Sequence, residues 1–237
     1  MEHCTITSSA NAGFALQLPG MRILVDAFHN MKISGFSTLS PEECAVILDH
    51  PHFSDPDMVF FTHCHGDHYS QEWGAAAKSR WPRTALILPQ QEFREQMLLC
   101  GKEVKFTING ITFRFLRLIH DGAEHAAIPH YGLLIETASS RILIAGDCEV
   151  ASSQLAEFLE KQPVDLAILD FPWITLTKGR TFVKETLRPR HLLVHHIPFP
   201  EDDLCCYREA AIRSAALFPE SDVRLMLESL QQEHFYL

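Results

Sequence analysis

The amino-acid sequence predicts an α/β protein built as a four-layer αββα sandwich, with two sheets packed face to face and helices outside. Two observations carry this expectation. Each half of the chain opens on antiparallel strand signals, and each half then passes into alternating strand and helix patterns.

In the first half, residues 14–28 (FALQLPGMRILVDAF) hold two apolar segments around Pro19-Gly20, a hairpin signal whose second strand ends at Asp26. Residues 41–50 (PEECAVILDH) read as a helix, and 57–63 (DMVFFTH) as a short buried strand that delivers the polar loop HCHGDH. Residues 70–80 follow as a helix with Ser70 as N-cap and Glu72 in its first turn. The strand TALILP and a helix QQEFREQMLLC closed by Gly101 complete a β-α-β-α order.

The second half starts with residues 104–120, where Asn109-Gly110 separates two alternating segments, the strongest short hairpin signal. A second hairpin spans 131–147. Alternation then returns as helix 153–161, strand 165–171, a helix near 182–188, strand 191–197, helix 207–218 and strand 223–229.

Nothing in the 237 residues reads as a linker, so residues 1–237 are expected to form a single domain. The formal net charge of −10 leaves no basic footprint for a phosphate backbone, and nucleic acid is not an expected partner. The N-terminal MEHCTITSSANAG has no charged-then-apolar leader pattern, and no apolar run reaches the roughly 18 residues of a membrane span, so a cytoplasmic protein without membrane attachment is expected. Seven scattered cysteines without a CxxC pair suit reduced, buried thiols better than a disulfide frame or a thiolate metal site.

The fourteen histidines carry information through placement, at the ends of apolar runs. In FFTHCHGDHYS, His63, His65, Asp67 and His68 put four ligand-type side chains into six positions directly after a buried strand. Imidazole and carboxylate suit zinc and its neighbours. Residues two apart at a strand end point the same way, so His63 and His65 can share one ion while Asp67 and His68 turn towards a second.

An HxHxDH motif after an apolar strand resembles the signature of the metallo-β-lactamase superfamily, and the resemblance extends over most of the chain. It implies the metallo-β-lactamase fold and a dinuclear centre of two divalent transition-metal ions, Zn2+ first, with Mn2+ or Fe as alternatives. By the same resemblance, Asp26 is the early Asp that orients the HxHxDH loop, and Asp147, at the end of RILIAGD, is the bridging carboxylate. For the third histidine, His120, His125 and His130 are all candidates, and His120, directly at its strand end, is favoured over His125. For the last, strand alternation lets only one of His195 and His196 point into the site, and the resemblance favours His196, which stands just before the apolar-Pro pair Ile197-Pro198.

The resemblance therefore implies His63, His65 and His120 at one ion and Asp67, His68 and His196 at the other, bridged by Asp147. Asp67 and Asp147 are the candidate catalytic carboxylates, with Asp67 orienting a metal-bound hydroxide as nucleophile. No cysteine is among the ligands, and Cys64 and Cys148 are assigned no role, since most cysteines in such places are small packing residues. The Asp at the bridging position argues against an antibiotic-hydrolysing enzyme. His29, Lys178 and Arg180 could reach a substrate from loops.

The expected activity is metal-dependent hydrolysis of an ester, lactone, phosphoester or similar small-molecule substrate. The compact length resembles the metal-dependent hydrolases related to ascorbate-6-phosphate lactonase. A di-iron oxidoreductase and a metal-binding, non-catalytic member of the superfamily are the alternatives.

Overall fold

The structure is a computed structural model that describes residues 3–237; Met1 and Glu2 of the N-terminal segment lie outside the described residues. Two seven-stranded sheets face each other. The first contains β1 (His3–Ser8), β2 (Phe14–Leu18), β3 (Met21–Val25), β4 (Met58–Phe60), β5 (Ala85–Leu88), β6 (Met97–Leu98) and β14 (Gln232–Tyr236), in the order β14-β1-β2-β3-β4-β5-β6. The second contains β7 (Glu103–Ile108), β8 (Ile111–Leu118), β9 (His130–Glu136), β10 (Arg141–Ile144), β11 (Leu166–Asp170), β12 (His191–His195) and β13 (Asp222–Leu225), paired in the reverse of chain order. In each, neighbouring strands are antiparallel on one side and parallel on the other, as the sequence pattern predicts.

Side-chain alternation explains the layers. Along β8, Phe113 and Phe115 enter the core between the sheets, where they meet Phe14, Ile23, Phe60 and Leu133. Helices α1 (Pro41–Asp49) and α2 (Gln71–Arg80) cover the outer face of the first sheet through Cys44, Ile47 and Ala77. Helices α3 (Ser153–Phe158), α4 (Pro172–Thr175), α5 (Thr177–Phe182) and α6 (Tyr207–Ala215) cover that of the second through Leu155, Trp173, Phe182 and Ala211. Three apolar layers thus separate four layers of backbone.

Local signals fix several boundaries. Ser40 and Glu43 close a reciprocal capping box on α1 with Pro41 in its first turn, and Ser70 accepts from the Trp73 N–H to cap α2. Asn109 and Gly110 both take positive φ, 52° and 81°, as the tight β7–β8 turn requires.

Three expectations need correction. Residues 90–100 form no helix: the Gln96 side chain accepts from the Glu92 and Phe93 N–H groups and donates to the Gln90 carbonyl, and β6 then pairs with β5. A side chain has satisfied the backbone groups that a helix would have paired. The sequence pattern also missed β1 and β14, which pair antiparallel and return the C-terminus to the first sheet. The thiols are not uniformly buried: Cys44 and Cys148 are, while Cys100, Cys205 and Cys206 lie on the surface. Among the described residues no helix is long and apolar enough to cross a membrane.

Candidate metal centre

The loop after β4 and the C-terminal ends of β3, β8, β10 and β12 converge on one end of the sandwich. Asp26, directly after β3, takes φ 47° and turns its carboxylate under the histidine loop. Asp26 Oδ1 accepts from the Thr62 N–H at 2.8 Å, and its Oδ2 accepts from Thr62 Oγ1 at 2.6 Å and from His68 Nδ1 at 2.9 Å. Because Thr62 Oγ1 donates to Asp26, it accepts from His63 Nδ1, 3.0 Å away. His120 Nδ1 donates to the Asp121 carbonyl.

These bonds fix tautomers. His63 and His120 each spend the Nδ1 proton on an outer partner, so each presents a bare Nε2 lone pair inward; His68 gives its Nδ1 proton to Asp26 and turns Nε2, beside Asp147, into the same space. His63 Nε2 lies 3.0 Å from His65 Nδ1 and 3.2 Å from His120 Nε2, and His68 Nε2 lies 3.1 Å from His196 Nε2. Tetrahedral metal–nitrogen bonds of about 2.0–2.1 Å place neighbouring donors about 3.3 Å apart. The lone pairs of His63 and His120 face each other at this spacing and repel unless a proton or a cation stands between them, and the donor set as a whole has the spacing of a divalent metal's ligands.

Three groups of donor atoms lie within 4.8 Å of one another: His63, His65 and His120; Asp67, His68 and His196; and His63, His68 and Asp147. Asp147 thus stands with one member of each triad. Its Oδ2 is 3.2 Å from His68 Nε2 and 3.5 Å from His196 Nε2, while its buried Oδ1 has no hydrogen-bond partner. Gly146 brings the backbone in with φ 57°, and a Cβ there would come within 2.6 Å of His130 Nε2.

Electrostatics agree with a cation site. Burial opposes charge on His68, yet Asp147 and Asp26 outweigh it and hold its pKa well above the ordinary histidine value. Burial likewise opposes the Asp147 carboxylate, but His68 and His196 hold its pKa well below the usual range. His63 moves the other way: burial, followed by His68, keeps it well below its ordinary value.

The two pairs of alternative histidines differ in their geometry. His120 is buried among the donors, whereas the half-exposed His125 meets His65 and His120 edge-on, with ring centroids 4.8 and 5.2 Å away. His196 takes φ 59° and turns towards Asp147, while His195 points between the sheets, its ring edge-on to Phe14 and its Nδ1 donating to the Ala12 carbonyl. The loop residues divide. His29 is fully buried and bonded to the Ala10 carbonyl, so it does not reach a substrate. Arg180 is taken up by the Ile174 and Thr175 carbonyls and Thr177, and Lys178 is exposed.

Sequence reasoning missed several neighbours. Asn11, in the β1–β2 loop, donates from Nδ2 to the Asp67 carbonyl at 3.2 Å and accepts from the His196 N–H at 2.9 Å, tying together donors from both sheets. Its only sequence signal was a turn-type residue between strands. Thr62 was visible beside His63 but carried no pattern of its own. His130, weighed as a third ligand, instead lies behind His63 and His120, fully buried with neither ring nitrogen paired. Asp170, at the end of β11, is held well above the carboxylate range by burial and by Asp147.

A family model described as the β-lactamase superfamily domain matches residues 21–197. No curated protein matches the chain significantly. Among solved structures, a metallo-hydrolase of the archaeon Ignicoccus hospitalis superposes with a TM-score of 0.69 at 15% identity, covering 99% of both chains. An isothiocyanate hydrolase from Delia radicum gut bacteria gives 0.65 at 18% identity over 99% of both. The diiron β-hydroxylase CmlA of Streptomyces venezuelae gives 0.66 at 14% identity, covering 100% of this chain and 55% of that one.

Proposed function

The chain belongs to the metallo-β-lactamase superfamily, and from that premise we propose that it is a metal-dependent hydrolase of a small-molecule ester or lactone. The observation that carries the reading is the convergence of ring nitrogens of His63, His65, His120, His68 and His196 with the Asp67 and Asp147 carboxylates. In this reading His63, His65 and His120 hold one divalent ion, Asp67, His68 and His196 hold a second, and Asp147 bridges. Zinc is the first choice for this donor set, with manganese or iron next. Bound there, the ions supply Lewis acidity that polarises a carbonyl oxygen and lowers the pKa of water.

The chain's own residues do the rest. Asp26 and Thr62 hold the rings of His63 and His68 so that Nε2 faces inward. Asp67 Oδ2, 3.7 Å from His196 Nε2, faces the same space and can accept a hydrogen bond from an attacking water. Asn11 fixes the backbone of Asp67 and His196. No serine or cysteine nucleophile is needed.

The test is a screen of lactones, carboxylic esters, thioesters and phosphodiesters with protein reconstituted separately with zinc, manganese and iron. Turnover that disappears on chelation and returns with metal is expected. Metal-loaded protein inert towards all four classes would reject the reading. The fold likeness to a diiron hydroxylase favours one alternative, an iron oxidoreductase, which would show itself as activity requiring iron and an external reductant.

A further inference from the structure

The segment after β3 forms an apolar wall along one side of the candidate centre. At one end the Met31 side chain rests on Gly66, inside the histidine loop, where a Cβ would meet Met31 Sδ at 2.5 Å; the Met31 N–H donates to the Gly66 carbonyl at 3.2 Å. At the other end Phe36 meets His196 edge-on, with ring centroids 4.6 Å apart. Residues 31–36 therefore run from one donor loop to the other.

The wall continues outward. Phe36 stacks on Tyr207 at 6.0 Å, and Tyr207 packs on Phe171 at 4.7 Å. An ion pair between Lys32 and Asp202 ties the segment to the loop that presents Leu204. In that loop Leu204 is 72% exposed, while Met31, resting on Gly66, is 57% exposed and Ile33, two positions on, is exposed as well. Large apolar side chains left open next to a polar centre are a reason to expect an apolar ligand.

Charge points the same way. Lys32 is neutralised by Asp202, and Arg180 is occupied by backbone carbonyls. The opposite rim, near His125, carries the exposed Asp121 and Glu124. A phosphorylated substrate would meet acidic groups there and no free cation on the wall.

The geometry points to an uncharged carboxylic ester whose apolar acyl arm lies along Met31, Ile33 and Phe36, over Gly66. This rests on the hydrolase reading above. Water adds to the acyl carbon, the bond from that carbon to the alkoxy oxygen breaks, and a proton from the water ends on the alkoxide, giving carboxylic acid and alcohol.

The experiment uses metal-loaded protein and p-nitrophenyl acetate, butyrate and hexanoate, with bis(p-nitrophenyl) phosphate as the anionic comparison. Direct binding of acetate, butyrate and hexanoate is measured by calorimetry on the same samples. Full burial of a methylene is worth about fourfold, so a half-open wall predicts about twofold per methylene. Over the four methylenes from acetate to hexanoate, a rise of about 16-fold is expected in both kcat/KM and affinity. Met31→Ser and Phe36→Ala should flatten both series, with metal content measured in each.

A flat series in rate and binding, or a slope that survives in both variants, overturns the inference while ester turnover leaves the hydrolase reading standing. Tighter hexanoate binding that depends on Met31, without turnover of any ester, supports the apolar wall and tells against hydrolysis instead.

Discussion

Asp26 and His68 form a fully buried pair, with Asp26 Oδ2 accepting from His68 Nδ1 at 2.9 Å. The same carboxylate holds Thr62 and, through it, His63. One side chain thereby sets the tautomer of a donor in each triad. Asp26→Asn keeps the shape but supplies an NH2 where Oδ2 accepts two bonds or Oδ1 accepts one. It is expected to lower metal affinity by about 10- to 100-fold, read by competition with a chelator. Unchanged affinity would show that Asp26 is only a packing residue.

Asn11 is expected to matter through its side chain as well as its backbone. Its φ of 52° is one that Gly also tolerates, so Asn11→Gly keeps the turn and removes the amide bond to the Asp67 carbonyl. A loss of about 1 kcal/mol in folding stability is expected, with faster metal loss to a chelator. Equal metal loss from Asn11→Gly and the parent protein would remove Asn11 from the account.

The adjacent and near-adjacent histidines separate by readout. His120→Ala and His196→Ala should lower metal content and abolish turnover. His125→Ala should keep its metal and alter at most the substrate KM, because that ring meets the donors edge-on from the rim. His195→Ala opens space beside Phe14, so its melting temperature should fall while its metal content stays. Metal analysis of the four variants checks this pattern.

Much of this was legible before any coordinates. The αββα layering followed from hairpin signals and alternation, and the HxHxDH loop from four donor-type residues after an apolar strand. What stayed hidden depends on long-range pairing. Gln96 undoes a helical pattern by bonding three backbone groups of its own loop, and β14 becomes a strand only because β1 offers an edge. The choice of His196 over His195 turned on a positive φ that alternation alone does not foresee, and Asn11 joins residues 56 and 185 positions away.

Acid should destabilise the metal-free protein. Burial lowers the pKa of His29 to about 4, and of His130 and His195 to about 3. Below the ordinary histidine value of 6.5 the unfolded chain binds protons at these three positions that the folded chain refuses, so stability falls as pH falls from about 6.5 towards 4. Asp170, raised by burial and Asp147, and His68, raised by Asp147 and Asp26, work in the opposite direction, while His63, lowered by burial, adds to the acid effect. Urea unfolding of the metal-free protein at pH 7 and pH 5 should show a net loss at pH 5 on the order of 1–4 kcal/mol. Equal midpoints at the two values would contradict the neutral burial of these imidazoles.

The central claim is that the seven donors form a metal centre, and counting metal tests it most directly. Protein purified without added metal, then loaded and desalted, should hold about two divalent transition-metal ions per chain by elemental analysis, with His63→Ala and His68→Ala holding markedly fewer while remaining folded. Full metal occupancy in both variants, or no retained metal in the parent protein, would contradict it.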